Sequence, residues 1–131
     1  MIVVDASVVV ELLLRQQEEI LLERVLVRGG VLCAPHLLDL EVLQALRRLV
    51  TAGKLSAQRA AEAVADLEVL PVDRHPTLAL VPRIWELRHH LTAYDAAYFA
   101  LAETLGCPLV TRDRGFAGVP ASVGAVAVEW V

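Results

Sequence analysis

The chain has 131 residues, a net charge of −4 and 56% hydrophobic residues, and its length predicts a single domain over residues 1–131. No apolar run reaches the ~18 residues that a membrane-spanning helix needs, and Asp5 interrupts the apolar start as it would not in a signal peptide. We therefore expect a cytoplasmic protein. Its acidic charge excludes global steering towards nucleic acid, and its surplus apolar residues favour protein partners, including a homodimer.

Short strands alternate with helices along the whole chain. Apolar runs predict five strands, at residues 1–4, 31–34, 69–72, 108–111 and 125–128. Helical periodicity and caps predict helices at residues 6–15, 17–28, 37–51, 56–68, 76–90 and 92–105. Because parallel strands need helical crossovers, this order predicts an α/β domain with a parallel sheet covered on both faces. Ligands of such sheets bind beyond the carboxyl ends of the strands.

Four acidic residues stand where the predicted elements reach that edge. Asp5 follows the first strand and Asp113 the fourth, while Asp95 lies in the first turn of one helix and Glu41 one turn into another. Each has an ordinary structural alternative, as a helix cap, a turn residue or an exposed helix acid. Clustered carboxylates need positive charge, and oxygen ligands without His or Cys suit Mg²⁺ or Mn²⁺. The joint pattern therefore predicts a divalent metal site.

The four acids lie in segments that resemble the motifs of PIN domains, most closely those of the VapC-type toxins of type II toxin–antitoxin systems. The segments are Val3-Val4-Asp5-Ala6-Ser7, the Leu-rich helix around Glu41, Leu91-Thr92-Ala93-Tyr94-Asp95-Ala96 and Leu109-Val110-Thr111-Arg112-Asp113. The resemblance covers the whole chain in order. It implies a three-layer α/β/α PIN-like domain with a five-stranded parallel sheet.

The resemblance also implies an activity and a partner. The activity is that of a Mg²⁺- or Mn²⁺-dependent endoribonuclease, and the partner is a cognate antitoxin protein. By analogy Asp5, Asp95 and Asp113 hold the metal. Glu41 positions or deprotonates the metal-activated water that attacks the RNA phosphodiester, which leaves 5′-phosphate and 3′-hydroxyl ends.

The residues around these acids carry further expectations. Ser7 and Thr111 match family positions that hydrogen-bond within the site, which implies a supporting role. Arg112 and Arg114 stand beside the fourth acid, where they either contact the RNA backbone or belong to ordinary solvated surface. Some relatives carry another acid just past the fourth motif, but Arg114 and Gly115 follow here. We therefore expect any second metal site to be weak or to be completed only by RNA.

Three other functions remain open on the sequence alone. A phosphoacceptor receiver domain needs a Lys at a late strand end, and the only Lys is Lys54, in a loop-like segment. A phosphatase with an Asp nucleophile calls for Asp-x-Asp after the first strand, where Asp5-Ala6-Ser7 stands. The third is a PIN-like module that binds RNA or protein without cleaving. Retention of four acids argues against it, because uncompensated clustered charge destabilises a fold.

Overall fold

The computed structural model describes residues 1–14 and 30–131. The strands are β1 (Ile2–Val4), β2 (Leu32–Pro35), β3 (Val72–His75), β4 (Leu109–Thr111) and β5 (Val128–Trp130). The α-helices are α1 (Ala6–Leu14), α2 (Leu37–Thr51), α3 (Ala57–Val69), α4 (Val81–Glu86) and α5 (Ala93–Leu105). Short 3₁₀ helices occupy Leu78–Leu80, Leu87–His89 and Arg114–Gly118. The helix predicted at residues 17–28 lies outside the described residues.

The five described strands pair in parallel, in the order β3-β2-β1-β4-β5. β1 is central, since Val3 pairs with Cys33 of β2 on one side and with Leu109 of β4 on the other. Helices α1, α2 and α3 contact one another, and α4 contacts α5. With this strand order, the right-handed crossovers that parallel sheets follow as a rule put these two groups on opposite faces of the sheet. The predicted α/β class and its three-layer α/β/α arrangement are confirmed.

The core is formed by the central strands and by α5. Val3 and Val4 have no exposed surface, and α5 is buried over seven consecutive residues, from Ala96 to Ala102. A helix that is apolar around its whole circumference belongs inside a protein, so α5 accounts for part of the surplus apolar composition. In the described part of the chain, no helix combines the length and apolarity needed to cross a bilayer.

Two strands were predicted at the wrong residues, and both lie at the edges of the sheet. β3 is Val72–His75 rather than 69–72, because α3 continues to Val69 and the chain turns only afterwards. β5 is Val128–Trp130 rather than 125–128. Edge strands are less enclosed than central ones, so they accept Asp73 and Glu129 within the paired segments. An apolar run consequently does not mark where these strands begin.

The prediction of one continuous helix over residues 76–90 was also wrong. This segment consists of α4 flanked by two of the 3₁₀ helices. Pro82 lies in the first turn of α4, where its missing N–H is tolerated but a preceding helix cannot continue. The other helix ends agree with their caps. Ser56 accepts a hydrogen bond from the Arg59 N–H, and Gly106 ends α5 with a φ of 62°.

Candidate metal and catalytic site

The four predicted acids meet at the carboxyl edge of the sheet. Asp5 leaves β1 and Asp113 leaves β4, which are neighbouring strands. α2 begins directly after β2, and α5 runs back towards the start of β4. The N-terminal ends of both helices therefore lie at the same edge, with Asp95 in the first turn of α5 and Glu41 one turn into α2. The Asp113 carboxylate lies close enough to contribute to the raised pKa of Asp5, Glu41 and Asp95, so the structure brings all four acids together.

Asp5 is held by hydroxyl groups from two directions. Its side chain is almost completely buried, at 5% exposure. Ser7 Oγ donates to Asp5 Oδ1 at 2.5 Å, and Thr111 Oγ1 donates to Asp5 Oδ2. The same hydroxyls accept the backbone N–H of Arg112 at 2.9 Å and of Asp113 at 2.8 Å, respectively. Both hydroxyls thus connect β1 to the segment after β4, which fits their predicted supporting role; that role in catalysis stays a prediction.

Gly115 keeps open the space between two of the acids. A β-carbon at this position would stand 3.3 Å from Asp113 Oδ1 and 3.6 Å from Asp95 Oδ2. The two carboxylates therefore face one small volume. The Gly115 N–H also donates to Asp113 Oδ1 at 2.8 Å. A side chain here would crowd the Asp113 carboxylate, which gives a physical reason for glycine.

The ordinary capping roles of the acids are present as well. Asp5 Oδ1 accepts the Val8 N–H at 3.2 Å, and Asp113 caps the following 3₁₀ helix. Asp95 donates its backbone N–H to Thr92 Oγ1 at 3.2 Å. A cap of this kind occupies a backbone N–H or a single oxygen, so it leaves carboxylate oxygen lone pairs for a cation. The structural and functional interpretations are compatible.

The electrostatics of this edge favour a bound cation. Burial raises the pKa of Asp5, Glu41 and Asp95 above ordinary carboxyl values, and the neighbouring acids raise each pKa further. In Asp5 the hydrogen bonds from Ser7 and Thr111 offset part of this effect. A positive charge placed among the carboxylates would reverse the repulsion and stabilise their ionised forms.

The two arginines beside Asp113 are engaged elsewhere. The Arg112 guanidinium lies 3.5 Å from the Glu11 carboxylate, and the Arg114 guanidinium lies over the Trp130 ring, 5.5 Å from its centroid. Trp130 Nε1 donates to the Asp113 carbonyl oxygen at 3.2 Å. Among the described residues, neither arginine forms an ion pair with the four acids. Their proposed contact with RNA stays a prediction.

Tyr98 is a residue of this site that the sequence analysis missed. It is 1% exposed, and its Oη has no hydrogen-bond partner within residues 1–14 and 30–131; the same is true of Glu41 Oε1. The phenol nevertheless lies near the Glu41 carboxylate and offsets part of the rise that burial causes in the pKa of Glu41. Burial also raises the pKa of Tyr98 itself. The available signal was a polar-tipped residue three positions after Asp95, on the predicted apolar helix.

The residues at this edge fit a small, hard cation. The available ligands are carboxylate oxygens, which Mg²⁺ and Mn²⁺ prefer, and Glu41 Oε1 is a buried acceptor with no partner among the described residues. In residues 1–14 and 30–131, no three acidic, His or Cys side chains are already grouped like the ligands of one ion. Mg²⁺ suits such an open arrangement, because it keeps several waters and uses one or two carboxylates directly.

Known proteins are similar to this chain in both sequence and fold. The PIN domain family matches residues 2–121. The chain is 44% identical over 113 residues to VapC ribonuclease Mb0985 of Mycobacterium bovis, covering 86% of each protein. PAE2754 from Pyrobaculum aerophilum has a similar structure, with a TM-score of 0.69, 27% identity, and coverage of 98% of this chain and 82% of that one. The chain therefore belongs to the PIN-domain family and, within it, to the group of VapC ribonucleases.

A solved complex shares the fold at lower identity. VapBC2 from Rickettsia felis, solved bound to a DNA fragment from its promoter, gives a TM-score of 0.63 at 15% identity. The match covers 99% of this chain and 98% of that one. At this identity the likeness bears on the fold alone. The resemblance drawn from the four sequence motifs is confirmed by the family and by its curated relatives.

Proposed function

We propose that this chain is an endoribonuclease, the toxin of a toxin–antitoxin pair, which hydrolyses RNA with Mg²⁺ or Mn²⁺ as cofactor. The observation that carries the proposal is the convergence of Asp5, Glu41, Asp95 and Asp113 from four separate elements on one sheet edge. The membership of the chain among VapC ribonucleases gives that edge its chemistry. A fold gains no stability from gathering like charges, so the cluster is best explained by a ligand.

In this proposal, one group of residues holds the cation and another residue transfers the proton. Asp5, Asp95 and Asp113 would hold the cation, which stabilises charge developing on the phosphate and lowers the pKa of water. Ser7 and Thr111 fix both oxygens of Asp5, so that this carboxylate keeps one orientation. The proposed role of these two hydroxyls is therefore preorganisation, which reduces the rearrangement needed during the reaction.

Glu41 acts as the general base. Its Oε1 is a buried acceptor without a partner among the described residues, and its raised pKa brings the carboxylate closer to the range in which a base works well near neutrality. Glu41 takes a proton from the attacking water as the new P–O bond forms. The bond between phosphorus and the 3′ oxygen breaks, and the departing oxygen takes a proton from solvent water, which gives the 5′-phosphate and 3′-hydroxyl ends.

The proposed protein partner is an antitoxin. The Rickettsia felis likeness is to a VapBC assembly, and this chain exposes large apolar side chains such as Leu40, Leu78 and Trp85. Exposed apolar patches commonly mark protein interfaces. A homodimer remains a separate proposal, which light scattering of the purified chain tests directly: a mass of one chain contradicts it.

The central experiment measures RNA cleavage by the purified full chain. Cleavage with Mg²⁺ or Mn²⁺ is expected to stop on addition of EDTA and to return with excess metal. Asp95→Asn is expected to lower the rate by on the order of 10²–10³-fold, because it removes one of the carboxylates that would hold the cation at the reacting phosphate. Asp66→Asn, at an exposed position of α3, is the matched control and keeps the wild-type rate.

Two outcomes count against the proposal. Cleavage that persists in EDTA, or in purified Asp95→Asn, contradicts metal-dependent hydrolysis at this edge. RNA binding by the wild-type protein with no cleavage under any metal supports the alternative of a catalytically silent PIN-like binding module.

A further inference from the structure

A groove of about 370 Å³ lies directly beside Glu41, between α2 and the beginning of α5. We call it the α2 groove. Its lining residues are Leu37, Leu40, Glu41, Gln44, Arg48 and Tyr94. All but Tyr94 belong to α2, at spacings of three or four residues that place them on one helical face. One wall is thus a single face of α2, and Tyr94 stands at the other.

The α2 groove leads away from the carboxylates. Glu41 belongs to both the groove and the carboxylate edge, and Tyr94 immediately precedes Asp95 in the chain. Arg48 lies seven residues beyond Glu41, which is two helical turns and roughly 10 Å along the axis. The groove therefore begins at the proposed base of the reaction and extends towards a cation.

The groove offers the chemistry that a single-stranded nucleotide requires. Tyr94 is 65% exposed, so its ring is available for stacking, and Leu40 adds an aliphatic surface. Gln44 brings an amide that can donate to or accept from a base edge. Arg48 is exposed and makes no ion pair with the described residues. Aromatic platforms with neighbouring cations are how proteins bind unpaired strands.

We infer that the α2 groove binds the nucleotide next to the scissile phosphodiester of single-stranded RNA, with its base on Tyr94 and a phosphate at Arg48. The inference rests on the proposed endoribonuclease function. The groove's volume falls within the roughly 300–1,000 Å³ of ligand pockets. A chain with a net charge of −4 needs local positive charge to hold RNA, and Arg48 supplies it in the groove.

The first arm of the test compares two adjacent arginines. Arg48 lines the groove and Arg47 does not, yet both are exposed residues of α2. Arg48→Ala is expected to raise the KM for a 5′-labelled single-stranded RNA about tenfold, with kcat unchanged. It is also expected to reduce the slope of log KM against log salt by about 0.7, the contribution of one phosphate contact on a single strand. Arg47→Ala leaves both quantities near the wild-type values.

The second arm tests stacking. Tyr94→Ala is expected to raise KM roughly 5- to 150-fold, the range for losing one base–aromatic stack, whereas Tyr94→Phe keeps the ring and most of the affinity. Because Tyr94 is 65% exposed, both variants are expected to melt at the wild-type temperature. Equal effects of the two arginine variants, or an unchanged KM in Tyr94→Ala, overturn the assignment.

A binding measurement separates this inference from the proposed function. Fluorescence anisotropy of the same labelled RNA is recorded with Asp95→Asn, alone and combined with each groove variant. If RNA binding depends on Arg48 and Tyr94 but the wild type does not cleave RNA, the groove assignment is supported and the proposed endoribonuclease function is contradicted. If the wild type cleaves RNA but binding is independent of both residues, the groove assignment is contradicted and the proposed endoribonuclease function stands. If the groove variants keep their affinity for RNA but lose binding to a protein partner, the groove is a protein-binding surface and the inference is overturned.

Discussion

The two halves of the carboxylate edge differ in how completely the fold satisfies them. Around Asp5, hydroxyls from Ser7 and Thr111 occupy both carboxylate oxygens. Around Glu41, both Oε1 and the neighbouring Tyr98 Oη are buried without partners among the described residues. Folded proteins pair nearly all their buried polar groups. The difference indicates that folding alone fixes the orientation of Asp5, whose remaining lone pairs can face a cation, whereas Glu41 Oε1 is left for water or substrate to complete.

The largest expected effect comes from removing the base in the unsatisfied half. Glu41→Gln keeps the size of the side chain but cannot take a proton from water, so single-turnover RNA cleavage is expected to fall about 10²–10⁴-fold. The melting temperature is not expected to fall, because the change removes one of several repelling charges. Glu68→Gln, exposed on α3, is the control. Cleavage within tenfold of the wild type refutes the assignment of Glu41.

Thr111→Val tests the satisfied half and is expected to affect stability as well as activity. It leaves Asp5 Oδ2 and the Asp113 N–H without the hydroxyl that pairs with both. Unfolding in urea is expected to show a loss of about 1–3 kcal/mol, and cleavage is expected to fall about 10–100-fold.

Thr104→Val is the matched control for this change, since the Thr104 hydroxyl donates to the Ala100 carbonyl oxygen in its own helix, away from the carboxylates. If Thr104→Val and Thr111→Val lose the same stability and the same activity, the hydroxyl of Thr111 has no special part in the site.

Tyr98→Phe is expected to produce a smaller effect that separates the two halves further. Its Oη lacks a partner in the described residues, so the free energy of unfolding is expected to change by less than about 1 kcal/mol. The phenol lowers the pKa of Glu41. Without it that pKa rises, and the acidic limb of the kcat–pH profile moves to higher pH. An acidic limb that coincides with that of Tyr94→Phe argues against a positioning role for Tyr98.

The smallest expected effect is on the pH dependence of stability without metal. Burial raises the folded-state pKa of Asp5, Glu41 and Asp95, so the folded chain binds more protons than the unfolded one. Their contribution to stability is fully present below the ordinary carboxyl pKa of about 4 and is lost as pH rises through the raised values.

Thermal melts of the wild type and Asp95→Asn, each without metal, measure this contribution as a difference. The wild type is expected to lose a few degrees relative to Asp95→Asn as pH rises from about 4 to 7. Added Mg²⁺ is expected to restore the wild type at neutral pH. Parallel curves for the two proteins, at every pH, contradict repulsion within the cluster.

The central part of the fold could be predicted from the sequence, and its margins could not. β1, β2 and β4 are enclosed by neighbouring strands and helices, so their apolar runs mark them to within a residue. β3 and β5 have a partner on one side only, and pairing with β2 and β4, rather than composition, decides their position. Long-range pairing of this kind leaves no local pattern to read.

The candidate site divides in the same way. The four acids were found because strand ends and the N-terminal ends of helices are local features that share one edge in a parallel sheet. Tyr98 was missed because its significance depends on contact with Glu41, which belongs to a different helix. The α2 groove required the same knowledge of how α2 and α5 approach each other at Tyr94. Sequence patterns gave the charged groups of the site, and tertiary packing gave their neighbours.

The hydrogen bond from Thr111 to Asp5 has a consequence for biosynthesis. It joins residues separated by 106 positions, and the loop after β4 that carries Asp113 is also needed at the edge. A nascent chain that has released only β1 and α1 from the ribosome still lacks three of the four carboxylates, since Glu41, Asp95 and Asp113 come later in the sequence. The full set of four carboxylates, and the hydroxyl that holds Asp5, is therefore present only once the chain has been translated beyond Asp113.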